Sequence, residues 1–564
     1  MLLFRCLLGR HIVSDIYRIF KEFNVKLIFS KLSTLNSFAM VSRLMVTAIL
    51  CGIFSACGGG GGGGGNQFTQ SSSSSSSSAS GSLATWQSGV FKPQANFANK
   101  CAAPRTGIDP ATNKAFADTK GTVLDENNFL RSWSNDTYLW YSDITDVNPA
   151  SYSDPLKYFS LLKSNAKTTS GNNKDNFHFT YESSEWYDLS ESGVSAGYGF
   201  EFSWGSSTPP RSLIVAYTEP GSPAANIKRG ARLIKIDGSD FVNGNTQQIV
   251  DVINAGLFPE ALNEAHEFTF QNVDSSIQTV TLQSASVTKT PVQNVKILDA
   301  ANGDKVGYFL FNDHIKTAEL GLSNAINQLQ GVKDLVLDVR YNGGGYLYIA
   351  SELAYMIAGN NIKAGSFFEK TAFNNKHTTT DINGNALETT PFYGGSQENG
   401  AFPTLNLKRV YVITSGDTCS ASESIINGLR GIGVEVIQIG SKTCGKPYGF
   451  YPQDNCGTTY FTIQFKGVNY KEFGEYSDGF IPSATDNDKD LIKGCTLGDD
   501  LSHALGDTAE KNLATALNYR ASGSCTLPVS SASLRLQKTT ASDELSNVTG
   551  TLNKAPGLTN RIMK

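Results

Sequence analysis

Beyond Val295 the chain alternates between apolar segments of strand length and amphipathic segments of helix length. The strand-like segments read KVGYFLFN, KDLVLDVR, KRVYVIT and VEVIQIG, and the segments ELGLSNAINQLQ, YLYIASELAYMIAG and SESIINGLRGIG are helix-like. The strand-like runs are nearly continuously apolar, which is typical of strands covered on both faces in a parallel sheet. Residues 291–525 are therefore predicted to form an α/β core with layers of parallel strands.

Three loops of different chemical character follow three of these predicted strands. They read RYNGGGY after Val339, SGDTCSA after Thr414 and SKTCGKPYG after Gly440. Because the carboxyl ends of neighbouring parallel strands lie at one edge of a sheet, the three loops are expected to meet there. The first offers unobstructed backbone N–H groups to a developing oxyanion, the second offers hydroxyls at a helix N-terminus, and the third offers Lys446.

Ser420 has two interpretations at the start of its predicted helix. Ser420 and Glu423 have the spacing of a capping box, in which both residues serve only the helix end. A serine at that position also lies where helix N–H groups stabilise negative charge, as a nucleophile requires. None of the chain's six histidines falls in the three loops, so a base there would have to be Lys446 with a pKa depressed by burial. Otherwise a lysine after a strand is usually a solvated surface charge.

Residues 193–290 have a different sequence pattern, which predicts short strands and turns. The segments GYGF and GSPAANIKRGARLIKIDGSDF resemble the carboxylate-binding loop and the helix–glycine–strand segment of PDZ domains. The resemblance implies that backbone N–H groups of this loop bind the C-terminal carboxylate of a peptide, which adds as a strand to the sheet edge. The alternative is a glycine-bearing turn without a ligand. The predicted carboxylate-binding residues are Gly197, Tyr198, Gly199 and Phe200.

The segment before this region, residues 101–192, is predicted to be largely helical. Apolar residues recur there at three- and four-residue steps, as on one face of an amphipathic helix. Such a stripe usually packs against a core. Its members are Leu130, Trp133, Thr137, Trp140 and Tyr141.

The order of motifs along the chain resembles the C-terminal-processing, or tail-specific, serine protease family. The matching segments, in order, are LVLDVRYNGGG, TCSASE, SKTCGKPYG and DGFIPS. The resemblance implies a multidomain α/β protein with a small helical N-terminal segment, a β-rich PDZ domain and a crotonase- or ClpP-like α/β core. It implies cleavage of protein or peptide substrates with free C-termini, without a cofactor. The implied catalytic residues are Ser420 as nucleophile and Lys446 as its base, with an oxyanion hole formed by Ala421 and Gly344.

One position departs from the family pattern. Many members have a glutamine four residues after the lysine, which orients it, whereas this chain has Phe450. Gln453 and Glu423 are alternative residues for that role. A non-catalytic peptide- or ligand-binding protein on the same scaffold is the main alternative function. An acyl-CoA enzyme of the crotonase type is disfavoured by the PDZ-like segment and the export signal.

The N-terminal sequence predicts export. A basic residue, a short apolar run and FSAC form the outline of a signal peptide over residues 1–56, with Met40 as an alternative start. FSAC also resembles a bacterial lipobox, which implies a lipid on Cys57 and a cell-envelope location in the periplasm or as an outer-membrane lipoprotein. An ordinary signal peptide is the alternative. Glycine and serine runs in residues 57–100 predict a flexible tether, and residues 526–564 are predicted to be a poorly ordered tail.

Composition and cysteine content narrow the class of protein further. A net charge of -4 and scattered basic residues argue against nucleic-acid binding. Six cysteines lie beyond Cys57, an even number that suggests disulfides in an exported chain. Proximity in sequence favours the pairs Cys444–Cys456 and Cys495–Cys525, and disulfides are expected to brace the active-site loops. No cysteine or histidine spacing supports a metal site.

Overall fold

The computed structural model describes residues 86–110, 112–486 and 488–525, and the backbone of residues 560–562. The predicted signal peptide, Cys57, the tether up to residue 85 and most of the predicted tail lie outside the described residues. In the last part of the predicted tether, the carbonyl groups of Gln87 and Val90 accept hydrogen bonds from Arg131. Residues 86–100 therefore pack on the folded body.

Eight α-helices lie within the described residues. They are α1 Val123–Thr137, α2 Pro155–Phe159, α3 Ser183–Tyr187, α4 Gln247–Leu257, α5 Ala318–Gln328, α6 Leu347–Ala358, α7 Ala421–Gly431 and α8 Lys511–Ser522. Short helical turns occupy Gln94–Asn96, Tyr141–Asp143, Pro149–Ser151, Asp188–Ser192 and Gly359–Asn361.

The strands are short and numerous. In chain order they are β1 Lys100–Cys101, β2 Ile108–Asp109, β3 Lys114–Ala115, β4 Thr119–Lys120, β5 Phe179–Glu182, β6 Val194–Gly197, β7 Phe200–Ser206, β8 Ser212–Thr218, β9 Arg232–Ile236, β10 Ser239–Asp240, β11 Ala265–Gln271, β12 Ile277–Gln283, β13 Ala285–Thr288, β14 Val292–Asp299, β15 Lys305–Phe311, β16 Asp334–Asp338, β17 Gly344–Tyr346, β18 Glu369–Ala372, β19 Thr389–Thr390, β20 Gly395–Ser396, β21 Gly400–Ala401, β22 Arg409–Thr414, β23 Glu435–Gly440, β24 Tyr448–Gly449, β25 Gln453–Asn455, β26 Thr458–Phe461, β27 Phe465–Val468, β28 Ile481–Ser483, β29 Leu491–Thr496 and β30 Asn560–Ile562.

The predicted α/β core contains a seven-stranded sheet in the order β14-β15-β16-β22-β23-β29-β28. Every neighbouring pair is parallel except the edge pair β14–β15, which is antiparallel. Helices α5, α6 and α7 pack their apolar side chains on one face of this sheet, and α8 packs on the other. The strand β16 is buried along its whole length, as its continuously apolar sequence predicts.

Residues 200–283 form a separate antiparallel sheet in the order β12-β11-β9-β8-β7, with β10 paired to β9. Helix α4 packs against it around its own apolar core. A tight turn at Asp237 and Gly238 joins β9 and β10, and both residues have positive φ angles, 48° and 75°. This sheet thus has a core distinct from that of the parallel sheet.

The N-terminal region packs on the core through α1 and β5. Of the predicted aromatic stripe, Leu130, Trp133 and Thr137 are buried, while Trp140 and Tyr141 lie beyond the end of α1. Strand β5 pairs with β26 in an antiparallel register, and a disulfide joins Cys101 to Cys456. These contacts attach the region to the segment that follows Lys446.

Three disulfides lie within the described residues, and they test the predicted pairs. Cys495–Cys525 is confirmed. The predicted pair Cys444–Cys456 is wrong, because Cys444 bonds to Cys419 and Cys456 bonds to Cys101. Cys456 lies in the β25–β26 turn, which faces the N-terminal region rather than the loop that carries Cys444. The disulfides fit an oxidising compartment. Among the described helices, none has the length and apolar character needed to cross a membrane.

Candidate active site

The three predicted loops meet at the carboxyl edge of the parallel sheet, because β16, β22 and β23 are consecutive neighbours there. The carbonyl of Asn342 in the first loop accepts hydrogen bonds from the Cys419 N–H (3.1 Å) and the Ser422 hydroxyl (3.0 Å) in the second. The Thr418 carbonyl accepts a 3.0 Å bond from the Cys444 N–H in the third. The loops are thus bonded to one another directly.

Ser420 occupies a strained backbone position at the N-cap of α7. Its φ and ψ angles are 60° and -113°, although it is not a glycine. Non-glycine residues held in such sparsely populated regions cost about 1–3 kcal/mol each and cluster at functional sites. In α/β-hydrolases a strained turn between a strand and a helix likewise carries the nucleophilic serine.

The hydroxyl of Ser420 is buried and has no hydrogen-bond partner among the described residues. Only half of the predicted capping box therefore forms: Glu423 accepts the Ser420 N–H at 2.9 Å, but the Ser420 side chain does not cap the helix. A buried, unsatisfied hydroxyl is costly in a purely structural role. Its geometry fits a nucleophile better than a cap.

Glu423 joins the serine loop to the lysine loop. Its carboxylate accepts the backbone N–H groups of Ser420 (2.9 Å), Gly445 (2.9 Å) and Lys446 (2.8 Å) and the hydroxyl of Thr443. Burial raises the pKa of Glu423, and these four donors oppose that rise. Glu423 thus fixes the backbone of Lys446, whereas the sequence had offered it only as an alternative for orienting the lysine side chain.

The side chain of Lys446 is fully buried. Burial lowers the pKa of Lys446 well below 10.5, and the negative charges of Asp175 and Glu423 only partly oppose that shift. A neutral amine is what a general base requires. The surface-charge interpretation of Lys446 is therefore wrong, because the lysine is not solvated.

Two aromatic rings lie close to the Lys446 amino group. Its Nζ lies 4.2 Å from the ring centroid of Phe450 and 4.7 Å from that of Phe177. Phe450, at the position of the family's glutamine, thus contacts the lysine through its ring face. The amide of Gln453, the other alternative, donates to the carbonyl of Asp454.

Sequence reasoning missed the contribution of the N-terminal region to this site. Phe177 contacts the lysine, and Asp175 acts on its charge from the same segment. The Asp175 carboxylate accepts the Tyr138 hydroxyl at 2.7 Å and the Phe177 N–H at 2.9 Å. No local motif signals this role, because the residues lie some 270 positions before Lys446.

The glycine loop, which is the segment RYNGGGY at residues 340–346, is held by Asn342 and His314. The side-chain oxygen of Asn342 accepts from the Gly344 N–H (2.9 Å) and from Nδ1 of His314 (2.9 Å), and its amide donates to the Phe311 carbonyl. Burial lowers the pKa of His314 to about 3, so the ring is neutral. The predicted oxyanion donor Gly344 therefore already has a partner in this structure.

The disulfide Cys419–Cys444 joins the residue before Ser420 to the residue two positions before Lys446. The expected bracing of the active-site loops is thus present as a covalent link between them. Cys419, Glu423 and Cys444 also lie close enough together to suggest a metal site. Both sulfur atoms are consumed by the disulfide, so this group does not have the thiolates that a metal would need.

Residues 305–450, which carry all three loops, match the model of peptidase family S41. This matched segment, the S41 domain, contains Gly344, Ser420 and Lys446. Over 175 residues it is 30% identical to a carboxyl-terminal-processing protease of Picosynechococcus sp. (strain ATCC 27264 / PCC 7002 / PR-6). That match covers 29% of this chain and 39% of the relative.

The fold of the S41 domain and its neighbouring regions also resembles a solved structure. A candidate S41 protease from Bacteroides fragilis NCTC 9343 superposes with a TM-score of 0.52 at 23% identity. The superposition covers 70% of this chain and 97% of that chain. The described residues thus share a mixed α/β multidomain fold with that protein.

Outside the S41 domain, the predicted carboxylate-binding loop lies between β6 and β7. Gly197 and Gly199 have positive φ angles of 146° and 83°, and Tyr198 is buried. The carbonyls of Tyr198 and Gly199 accept the N–H groups of Ala224 (2.9 Å) and Glu219 (2.8 Å). The loop is thus anchored through its carbonyl groups.

Proposed function

We propose that this chain is an exported serine endopeptidase of the C-terminal-processing type, in which Ser420 is the nucleophile and Lys446 its base. One observation carries the proposal: a strained serine with an unsatisfied hydroxyl and a buried lysine with a lowered pKa are both fixed to one carboxylate. The S41 domain match and the homology to a carboxyl-terminal-processing protease support it. The substrates are proteins or peptides.

The proposed reaction begins with the transfer of the Ser420 hydroxyl proton to the neutral Lys446 amine. The serine oxygen then attacks the scissile carbonyl, and the oxyanion is stabilised by backbone N–H groups. The N–H of Ala421 is one donor, because it belongs to the first turn of α7, where N–H groups lack intrahelical partners. Lys446 next protonates the departing amine, and it deprotonates the water that hydrolyses the acyl-enzyme.

The second oxyanion donor comes from the glycine loop. The Gly344 N–H serves this role only if it exchanges its bond to Asn342 for one to the substrate. The N–H of Gly345 is the alternative in the same loop, and it lies on the opposite side of the strand. Either donor places the glycine loop against the scissile carbonyl.

Hydrolysis of casein by purified protein tests the proposed catalytic residues. Ser420→Ala is expected to abolish hydrolysis, and Lys446→Ala is expected to lower kcat by about 10²–10⁴-fold, the usual contribution of a general base. Ser441→Ala and Lys442→Ala, in the same loop as Lys446, are matched controls and should retain the wild-type rate. Equal rates for wild type and Ser420→Ala would remove Ser420 as the nucleophile. No hydrolysis by any of these proteins would favour the binding-protein alternative.

We further propose that the sheet around Gly197 and Phe200 is a PDZ domain that binds substrate C-termini. Ion pairs connect this sheet to neighbouring parts of the chain: Lys289 pairs with Glu201 of β7 (3.0 Å) and with Asp313 of the S41 domain (3.8 Å), and Arg229 pairs with Asp499 (2.7 Å). Asp313 directly precedes His314, which holds the glycine loop. Peptides with free C-termini are expected to bind more tightly than their amidated forms, and equal affinities would contradict carboxylate recognition.

Export is part of the proposal, and the disulfides support it. A lipid on Cys57 would hold the enzyme at a membrane of the cell envelope. Fractionation of cells expressing the full chain or Cys57→Ser tests the anchor. The wild type is expected in the membrane fraction and Cys57→Ser in the soluble fraction, whereas identical distributions would indicate an ordinary signal peptide.

A further inference from the structure

A strand from far downstream in this chain pairs with the glycine loop. Strand β30 runs parallel to β17, with Asn560 opposite Gly344, Arg561 opposite Gly345 and Ile562 opposite Tyr346. These residues belong to the predicted poorly ordered tail, but their backbone is part of a two-stranded sheet at the proposed active site.

The hydrogen bonds of β17 show which of its edges β30 occupies. On one side, the Gly344 carbonyl accepts the His314 N–H (3.1 Å), and the Tyr346 N–H donates to the His314 carbonyl (2.8 Å). Because backbone groups alternate in direction along a strand, the N–H and carbonyl of Gly345 face the opposite side, toward β30. In a parallel pair these groups bond to the Asn560 carbonyl and the Ile562 N–H.

Gly345 can lie against the backbone of His314 only because it is a glycine. Its φ angle is 135°, and a Cβ atom there would lie 2.5 Å from the His314 carbonyl oxygen. Glycine at this position therefore lets one edge of β17 lie against His314, and the N–H and carbonyl of Gly345 are directed to the other edge, where main-chain pairing with an extended peptide takes place.

Two more elements of the proposed site contact β30. They are helix α7, which begins directly after Ser420, and β24, which begins two residues after Lys446. Strand β30 thus lies among the three elements that carry the glycine loop, the nucleophile and the base. Ser420 and Lys446 are both fully buried, so a substrate reaches them only after something is displaced.

We propose that the edge of β17 that pairs with β30 is the docking site for the extended main chain of a substrate, and that residues 560–562 of this chain occupy it as an inhibitory strand. The inference rests on the proposed function and names how that site is regulated. Residues 526–559 connect the strand to Cys525, which is bonded to Cys495 of the S41 domain's sheet. The contact is therefore intramolecular, and external substrate must compete with a tethered strand.

The first test compares the peptidase rates of the wild type, of variants with a proline in the tail, and of a chain shortened before residue 560. Ile562→Pro removes the N–H that pairs with the Gly345 carbonyl. It is expected to raise kcat/KM for a short fluorogenic peptide at least fivefold. A chain that ends at Leu558, and so lacks the paired strand, is expected to show the same increase. Ser542→Pro, outside the paired segment, is the matched control and should keep the wild-type rate. Unchanged rates in Ile562→Pro and in the shortened chain would overturn the inhibitory role.

The second test does not depend on catalysis. In Ser420→Ala protein, the Gly345 amide is expected to exchange slowly with deuterium, and adding Ile562→Pro should accelerate that exchange at least tenfold. A labelled peptide of residues 555–564 should bind the shortened Ser420→Ala chain, and methylation of its Ile562 nitrogen should weaken binding at least tenfold. No binding together with fast exchange of Gly345 in both proteins would overturn the docking site.

The two tests separate the proposals. Peptide binding and amide protection without peptidase activity in any variant would support the docking site and contradict the proposed function. If the wild type and both tail variants have the same peptidase activity and the peptide does not bind, the results would support the proposed function and contradict the inhibitory strand.

Discussion

Ser420 and Lys446 donate their backbone N–H groups to the same oxygen, Oε2 of Glu423, at 2.9 and 2.8 Å. A residue on the first turn of α7 therefore fixes the proposed nucleophile and the proposed base relative to each other. Chain segments 26 residues apart in sequence share this acceptor. The relationship leads to four predictions.

Replacing Glu423 by glutamine should disrupt both loops at once. An amide can accept at one oxygen only, and its NH₂ group would face the backbone N–H donors that the carboxylate now satisfies. Because hydrogen bonds to a charged group contribute about 1.5–3 kcal/mol each, Glu423→Gln should lower the free energy of unfolding by about 3 kcal/mol. It should lower kcat more than it changes KM.

Chemical denaturation and steady-state kinetics measure these effects. Glu435→Gln, at an exposed position at the start of β23, is the matched control and should change neither quantity. A Glu423→Gln protein with wild-type kcat would show that the Glu423 carboxylate does not position the dyad of Ser420 and Lys446.

The pKa of Lys446 predicts how activity and stability depend on pH. The base acts only when neutral, so kcat/KM should rise with pH through the folded-state pKa of Lys446, which burial places well below 10.5. Between that pKa and about 10.5 the unfolded chain holds a proton that the folded chain lacks, so stability rises with pH across this window. Below the window the buried lysine must be charged, which costs stability.

Lys446→Met isolates that contribution. Relative to this variant, the wild type should be least stable at acidic pH, and the difference should shrink as pH approaches 10.5, as measured by urea denaturation across pH. Lys442→Met, in the same loop but exposed, should show no such pH-dependent difference. A pH-independent gap between wild type and Lys446→Met would contradict a lowered pKa.

Phe450 should act on the pKa of Lys446 through its ring face. Aromatic rings stabilise a nearby cation, so the ring opposes the effect of burial. Phe450→Leu keeps the site apolar but removes that attraction, so the acidic limb of the pH–rate profile should move to lower pH. Phe450 is also part of the main core, so stability should fall by about 1 kcal/mol. Phe368→Leu, in the same core, should lower stability without shifting the pH profile.

Reduction of Cys419–Cys444 should lower activity before it unfolds the protein. The bond joins the two loops of the dyad, and its loss should lower kcat while costing about 3 kcal/mol of stability. A Cys419→Ser/Cys444→Ser double variant tests this directly. Cys101→Ser/Cys456→Ser removes a disulfide that does not join the Ser420 and Lys446 loops, and it should cost stability with a smaller loss of kcat. Equal kcat in both double variants would mean that the bond does not position the site.

Much of the parallel core could be predicted from local patterns. The predicted strand at 305–312 is observed as Lys305–Phe311, and the predicted helix at 422–433 as Ala421–Gly431. Continuous apolar runs marked the buried strands because both faces of a parallel sheet are covered, and each run carries that information within itself. The meeting of the three loops followed from the direction of the strands.

The surroundings of the dyad could not be predicted in this way. Phe177 comes from the N-terminal region, and the pairing of Cys456 with Cys101 crosses most of the chain. Both depend on how β5 docks against β26, a contact between segments that carry no mutual signal in sequence. The pairing of Gly345 with β30 likewise depends on tertiary structure, because the other edge of β17 faces His314.

The sequence by itself determined the parallel α/β core and the three loops at its edge, and the family resemblance of its motifs named Ser420 and Lys446 as candidate catalytic residues. Periodicity and strand direction are local properties, so they survive in a linear sequence. Only the tertiary structure decided that Glu423 is shared by both loops, that two aromatic rings lie close to the lysine, and that β30 pairs with the glycine loop. Those contacts join distant segments, and burial and packing select them only when the whole chain has folded.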